Sequence, residues 1–155
     1  MKKLKHKFFI MDDYQKKLPH MNTFQKTLHD SITEMIFILY KIREIYSGMI
    51  EKTGSEKKID YIDQRVSEYI ALCKEIEKRH NWCPLDLVDV CFSTHVRNIM
   101  KNCHVIFSPI GILSNDQKKD LRKSKTEFYE YWKNYVKCLR TTGQHIYLCD
   151  KKFFM

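Results

Sequence analysis

Glycine, proline and long apolar runs are scarce in this chain. The 155 residues include four Gly and three Pro, whereas sandwiches, barrels and collagen-like repeats need turn residues at short, regular intervals. No apolar run approaches the ~20 residues of a membrane-spanning helix. Apolar residues nevertheless make up 43% of the chain and charged residues 30%, which excludes a predominantly disordered protein. This composition favours a helical protein of one domain.

Apolar residues recur at steps of three and four along four segments, the spacing of one face of an α-helix. The predicted helices span 22–52, 56–79, 84–104 and 115–140. The first is apolar on nearly all sides at its centre, which indicates burial on more than one side. Asn22 with Gln25, and Ser114 with Gln117, match the capping box that starts a helix.

These segments predict an all-α fold, an antiparallel four-helix bundle formed by a single helical domain over 1–155. The basic N-terminal tail (1–20) and the C-terminal tail (144–155) are expected to be irregular or weakly extended. Each tail contains a short apolar run, at 7–11 and at 145–149, and these two runs could pair as strands or pack across the bundle.

The formal net charge of +9 is concentrated at the two ends of the chain. Residues 1–17 contain six Lys and two Asp, residues 115–155 contain ten basic and five acidic residues, and residues 18–114 contain twelve of each sign. This excess favours a polyanionic partner, above all nucleic acid, either RNA or DNA. The alternative is a solvated basic surface that maintains solubility.

The last predicted helix interleaves its cations with aromatic residues. Exposed rings beside Lys or Arg suit single-stranded nucleic acid, because bases stack on the rings while the cations hold the backbone. Phe128, Trp132 and Tyr135 lie on the apolar stripe, so Tyr129 and Tyr131 are the rings expected outside. The candidate nucleic-acid-binding residues are Lys118, Lys119, Arg122, Lys125, Tyr129, Lys133, Lys137 and Arg140.

A candidate metal site lies around the break between the second and third predicted helices. His80 and Cys83 flank the break, and Cys91 and His95 are four residues apart on one helix face. Zinc takes four such nitrogen or sulfur ligands in a tetrahedron. Alternatively, Cys91 is a core residue and His95 a surface one. We expect no cofactor, with zinc as the alternative.

Six cysteines could form the three disulfides of a small secreted domain. The first residues are cationic, but the apolar run after them is too short for a signal-peptide core. We therefore expect an intracellular protein whose thiols are reduced.

Arg97 is followed by a polar residue, Asn98, and by His104 seven residues after the arginine. This pattern resembles the RX4-6H signature of HEPN ribonucleases, which are small helical bundles that usually act as dimers. The resemblance implies that His104 serves in acid-base chemistry at the ribose 2′-OH and that Arg97 stabilises the charge that develops on the phosphorus centre. Arg140 and His145 give a second match to the same signature.

The sequence contains no Gly-rich phosphate loop, no GxSxG and no HExxH. We therefore interpret the protein as a non-enzymatic helical bundle that acts by binding, with nucleic acid preferred over protein as the partner. Two alternatives stay open. One is a HEPN-like ribonuclease, and the other is a protein-protein adaptor or oligomeric subunit that self-associates through a helix face.

Overall fold

A computed structural model describes residues 23–49, 54–78 and 97–149. Within these ranges all regular structure is helical, which confirms the all-α class. The helices are α1 (Thr23–Ser47), α2 (Ser55–Lys78), α3 (Cys103–Ile106) and α4 (Asn115–Cys149). No helix in these ranges is long and apolar enough to cross a membrane. The N-terminal tail lies outside the described residues.

The first helix is the centre of the structure, since it packs against both α2 and α4. Its apolar stripe is buried from Leu28 to Tyr46, and so are Ile36 and Ile38 on its other sides. The prediction of burial on more than one side is therefore confirmed. A helix apolar on nearly all sides needs neighbours on several of them, and α2 and α4 provide these.

Polar contacts show that α1 and α2 run in opposite directions. Near the start of α1, the Gln25 side-chain amide donates to the Ile76 carbonyl near the end of α2 at 2.8 Å. Near the end of α1, the Arg43 guanidinium donates to the Asp63 carboxylate in the first half of α2, at 2.7 and 3.2 Å. The predicted bounds of α2 agree with its observed bounds to within one residue.

The third predicted helix, 84–104, does not reach its predicted end intact. Residues 97–99 are helical, but a turn follows, and Asn102 has a left-handed conformation with φ of 64°. Asparagine adopts this conformation more readily than most residues. The Ile99 carbonyl, which a continuous helix would pair with the Cys103 amide, accepts a 2.7 Å hydrogen bond from the Tyr69 hydroxyl. Residues 84–96 lie outside the described ranges.

The fourth helix starts as predicted and ends later. The capping box is present, since the Ser114 amide donates to the Gln117 side chain at 2.9 Å and the Gln117 amide donates to the Ser114 hydroxyl at 3.1 Å. The helix continues through Gly143 to Cys149, whereas the C-terminal tail from residue 144 was expected to be irregular or weakly extended. A glycine inside a helix costs only about 1 kcal/mol relative to alanine, so one glycine does not by itself end a long helix.

Polar side chains of α1 and α2 hold the segment before α4 by its backbone carbonyls. The Lys58 ammonium donates to the carbonyls of Val105 at 2.5 Å and Ser108 at 2.6 Å. Tyr46 also donates to the Ser108 carbonyl, at 3.3 Å. Buried Arg65 donates to a carbonyl one turn before α3. These contacts position Phe107, whose ring lies 4.9 Å from that of Phe128 in α4.

Buried thiols make the stability of the fold sensitive to alkaline pH. Cys73 and Cys103 are free and buried, and burial raises the pKa of the Cys73 thiol to about 12 and that of Cys103 to about 11. The folded chain therefore keeps protons that the unfolded chain releases above pH ~9. Lys58 opposes this, because burial lowers its pKa, whereas buried Tyr46 and Tyr69, whose pKa values burial raises, add to the effect above pH ~10.

We expect the free energy of unfolding to fall above pH ~9, with a contribution of up to about 1.4 kcal/mol per pH unit from each thiol. Urea titrations between pH 7 and 11 would measure this fall. A variant with alanine at Cys73 and Cys103 should show a shallower fall than the native chain. Equal slopes for the two chains would contradict the assignment to these thiols.

Candidate nucleic-acid interface

Basic residues of α4 share one side of the helix. Lys118, Arg122, Lys125 and Lys133 are separated by four, three and eight residues, and these steps return to the same face of a helix of 3.6 residues per turn. Arg122, Lys125 and Lys133 are exposed, and Lys118 is partly exposed. We call these four residues the basic face of α4.

The basic face is not neutralised by neighbouring carboxylates. Over 115–139, where the side chains of α4 are described, Lys133 alone among the basic residues forms an ion pair, with Glu130 at 3.6 Å. Both partners are exposed, and such pairs contribute little free energy. By contrast, Arg43 makes a two-point contact with Asp63. The cations of the basic face are therefore available to an external anion.

The carboxylates of α4 lie mainly on the opposite side. Asp116, Asp120 and Glu127 are exposed, and each is two positions from a member of the basic face. Two residues correspond to a rotation of about 200° around the helix axis. The four cations of the basic face therefore lie on a different side of the helix from these three carboxylates, which exposed Lys123 accompanies.

Two further residues of the predicted interface adjoin the basic face, and a third lies farther along α4. Lys119 and Lys137 are exposed on the neighbouring side of α4. Lys137 also lines an open cleft of about 500 Å³ between α1 and α4, together with Tyr131 and the acidic residues Asp30 and Glu34. Arg140 lies within α4, but its side chain is outside the described part of the chain.

Tyr129 lies at the centre of the basic face, but its ring is not free. The ring centroid is 6.1 Å from that of Phe107 and 5.8 Å from that of Phe128, and the side chain is half-buried. Partial burial raises the pKa of the Tyr129 hydroxyl. Tyr131 is half-buried as well. Both side chains keep part of their surface exposed, and their use in base stacking stays a prediction.

Arg97 and His104 are both exposed, but they do not share one helix. Arg97 belongs to the helical residues before the turn, and His104 lies in α3 after it, with left-handed Asn102 between them. The argument that seven residues return to the same helix face therefore does not apply to this pair. A catalytic role for the two residues stays a prediction.

The four proposed zinc ligands, His80, Cys83, Cys91 and His95, lie outside the described residues. In the ranges that the structure describes, no three His, Cys, Asp or Glu side chains are grouped so that they could hold a metal ion. The zinc alternative stays a prediction.

Comparison with protein-family models, curated proteins and solved structures found no match for this chain.

Sequence reasoning missed the residues that support the interface from behind. Phe107 lies between the third and fourth predicted helices, yet it is buried and contacts Phe128 and Tyr129. A signal was present, since Phe107 lies four residues after Cys103 and so continues the apolar stripe. Lys58 and Arg65 are not among the predicted functional or core residues, although both are buried beside the core stripe of α2. Their spacing of seven residues placed them on one face.

Proposed function

We propose that this protein binds nucleic acid through the basic face of α4. The observation that carries the proposal is the row of exposed cations from Lys118 to Lys133, of which only the last has a carboxylate partner among the described residues. Unpaired cations on a rigid element suit phosphates, which supply most of the affinity in sequence-independent binding.

The location of the row supports this function. The hydrophobic side of α4 is occupied by the core through Leu121, Phe128 and Tyr135, so the helix can present its cations without leaving the fold. From Lys118 to Lys137 the helix advances 19 residues, or about 28 Å at ~1.5 Å per residue. That length is sufficient for contact with several phosphates of one nucleic-acid molecule.

We further propose that the helices form one antiparallel bundle and that the protein acts inside the cell. The opposed directions of α1 and α2 support the first statement. Free thiols at Cys73 and Cys103 support the second, since reduced cysteines are usual in reducing compartments.

The proposal is tested by fluorescence anisotropy of labelled oligonucleotides titrated with the protein at several salt concentrations. We expect binding whose logarithmic affinity falls linearly with the logarithm of salt, with a slope of about −3 to −5 for four to six phosphate contacts. Absence of binding at low salt would overturn the proposal.

The same samples, with an RNA probe and resolved on a denaturing gel, distinguish binding from catalysis. We expect the RNA to remain intact. Cleavage by the native chain that is lost with His104→Ala would favour the HEPN-like alternative over a binding protein.

A further inference from the structure

We infer that the nucleic acid recognised by the basic face is a double helix, contacted along its phosphate backbone without regard to base sequence. The inference rests on the proposed function and specifies the substrate class of the same surface. It is carried by the state of the aromatic rings and by the positions of the carboxylates of α4.

The rings of the interface are engaged within the fold. Tyr129 packs against Phe107 and Phe128, and the Trp132 ring stacks on that of Tyr135 with a centroid distance of 5.9 Å and an interplanar angle of 15°. Among the aromatic side chains with a described surface exposure, none is exposed. Proteins that hold single strands without sequence preference stack bases on exposed rings, each worth about 1 to 3 kcal/mol. This surface provides cations without such rings.

The carboxylates limit how α4 approaches a duplex. A major groove ~12 Å wide can accept an α-helix, but a helix inserted there has phosphates on both sides. Asp116, Asp120 and Glu127, opposite the basic face, would then approach one of the two phosphate rows. Contact through the basic face alone keeps these carboxylates away from the duplex, and it leaves the base edges unread.

The higher charge density of a duplex favours it over a single strand as the ligand of this row of cations. A double helix carries one negative charge per ~1.7 Å of axis, and neutralising its phosphates releases more counterions per contact than on a single strand. The cations are mounted on one helix that packs against α1. A rigid row suits a stiff duplex, because neither partner must be ordered on binding.

The test compares duplexes and single strands of equal length, about 20 nucleotides. At ~3.4 Å per base pair, such a duplex is longer than the row of cations. Duplex DNA, duplex RNA and the corresponding single strands, each in two unrelated sequences, are titrated with the full chain at one salt concentration. We expect about tenfold tighter binding of duplexes than of single strands. We also expect less than about twofold difference between the two sequences. The DNA and RNA arms identify which duplex is preferred.

A variant tests the role of the central ring directly. Tyr129→Leu keeps an apolar contact with Phe107 but removes the ring, so we expect single-strand and duplex affinities to change less than about twofold. Thermal unfolding confirms that the variant is folded, and Tyr129→Phe, which retains the ring, is the matched control. The duplex inference would be overturned if single strands bound more tightly than duplexes, or if Tyr129→Leu lowered the affinity for single strands alone. Either result would leave the proposed function standing. No binding of any probe would overturn the proposed function itself.

Discussion

Replacing Arg122, Lys125 and Lys133 together by glutamine is expected to lower the affinity for nucleic acid about 100-fold at ~0.1 M salt. Each cation that contacts a phosphate contributes about 0.9 to the logarithmic salt dependence. The slope should therefore become shallower by about 3, and the two affinities should converge as salt increases. Anisotropy titrations of the native chain and the variant at four salt concentrations measure both quantities.

The matched control removes the same net charge elsewhere. Lys41 in α1 and Lys57 and Lys74 in α2 are exposed, and their triple replacement by glutamine should change the affinity less than about threefold, since only long-range attraction is lost. Equal losses in the two variants would mean that net charge attracts the ligand and that the basic face is not its site.

The substitution Phe128→Ala is expected to lower the free energy of unfolding by about 3 to 5 kcal/mol. The Phe128 ring is fully buried and touches the rings of Phe107 and Tyr129. Its removal loses the transfer free energy of the ring and leaves a cavity between α4 and the segment before it. Urea unfolding followed by circular dichroism measures the loss.

Two control variants separate burial from loss of an apolar group. Ile112 is a large apolar residue that is 51% exposed, so Ile112→Ala should change the free energy of unfolding by less than about 0.5 kcal/mol. Phe128→Leu fills more of the site and should cost less than the alanine variant. A loss for Phe128→Ala as small as that for Ile112→Ala would show that this contact does not stabilise the fold.

Apolar periodicity predicted the long helices well, because it records which side of a helix faces the core. The six stripe residues of α2, from Ile59 to Ile76, are all buried. The start of α4 was predicted because a capping box is a local interaction within four residues. Both features are encoded by neighbouring residues, so no knowledge of the tertiary structure was required.

The features that escaped prediction depend on partners distant in sequence. At the interruption near Asn102, the Ile99 carbonyl accepts a hydrogen bond from the Tyr69 hydroxyl, which lies 30 residues earlier in the chain. Tyr129 lies beside the apolar stripe of α4, and its contact with the Phe107 ring, at a centroid distance of 6.1 Å, joins residues 22 positions apart in the sequence. The sequence predicted the cations of the interface, but it did not predict how the Tyr129 ring among them packs.

The hydrogen bonds between Ser114 and Gln117 also determine how the chain tolerates insertions and deletions. They fix the residue at which α4 begins, and each residue added after that point rotates all later side chains by about 100°. One extra residue between Gln117 and Leu121 would turn either the core residues or the cations away from their present side. An insertion before Ser114, in the connection that contains exposed Gly111, leaves the rotation of α4 unchanged. Length variation is therefore compatible with the interface before this cap and incompatible with it between the cap and Lys133.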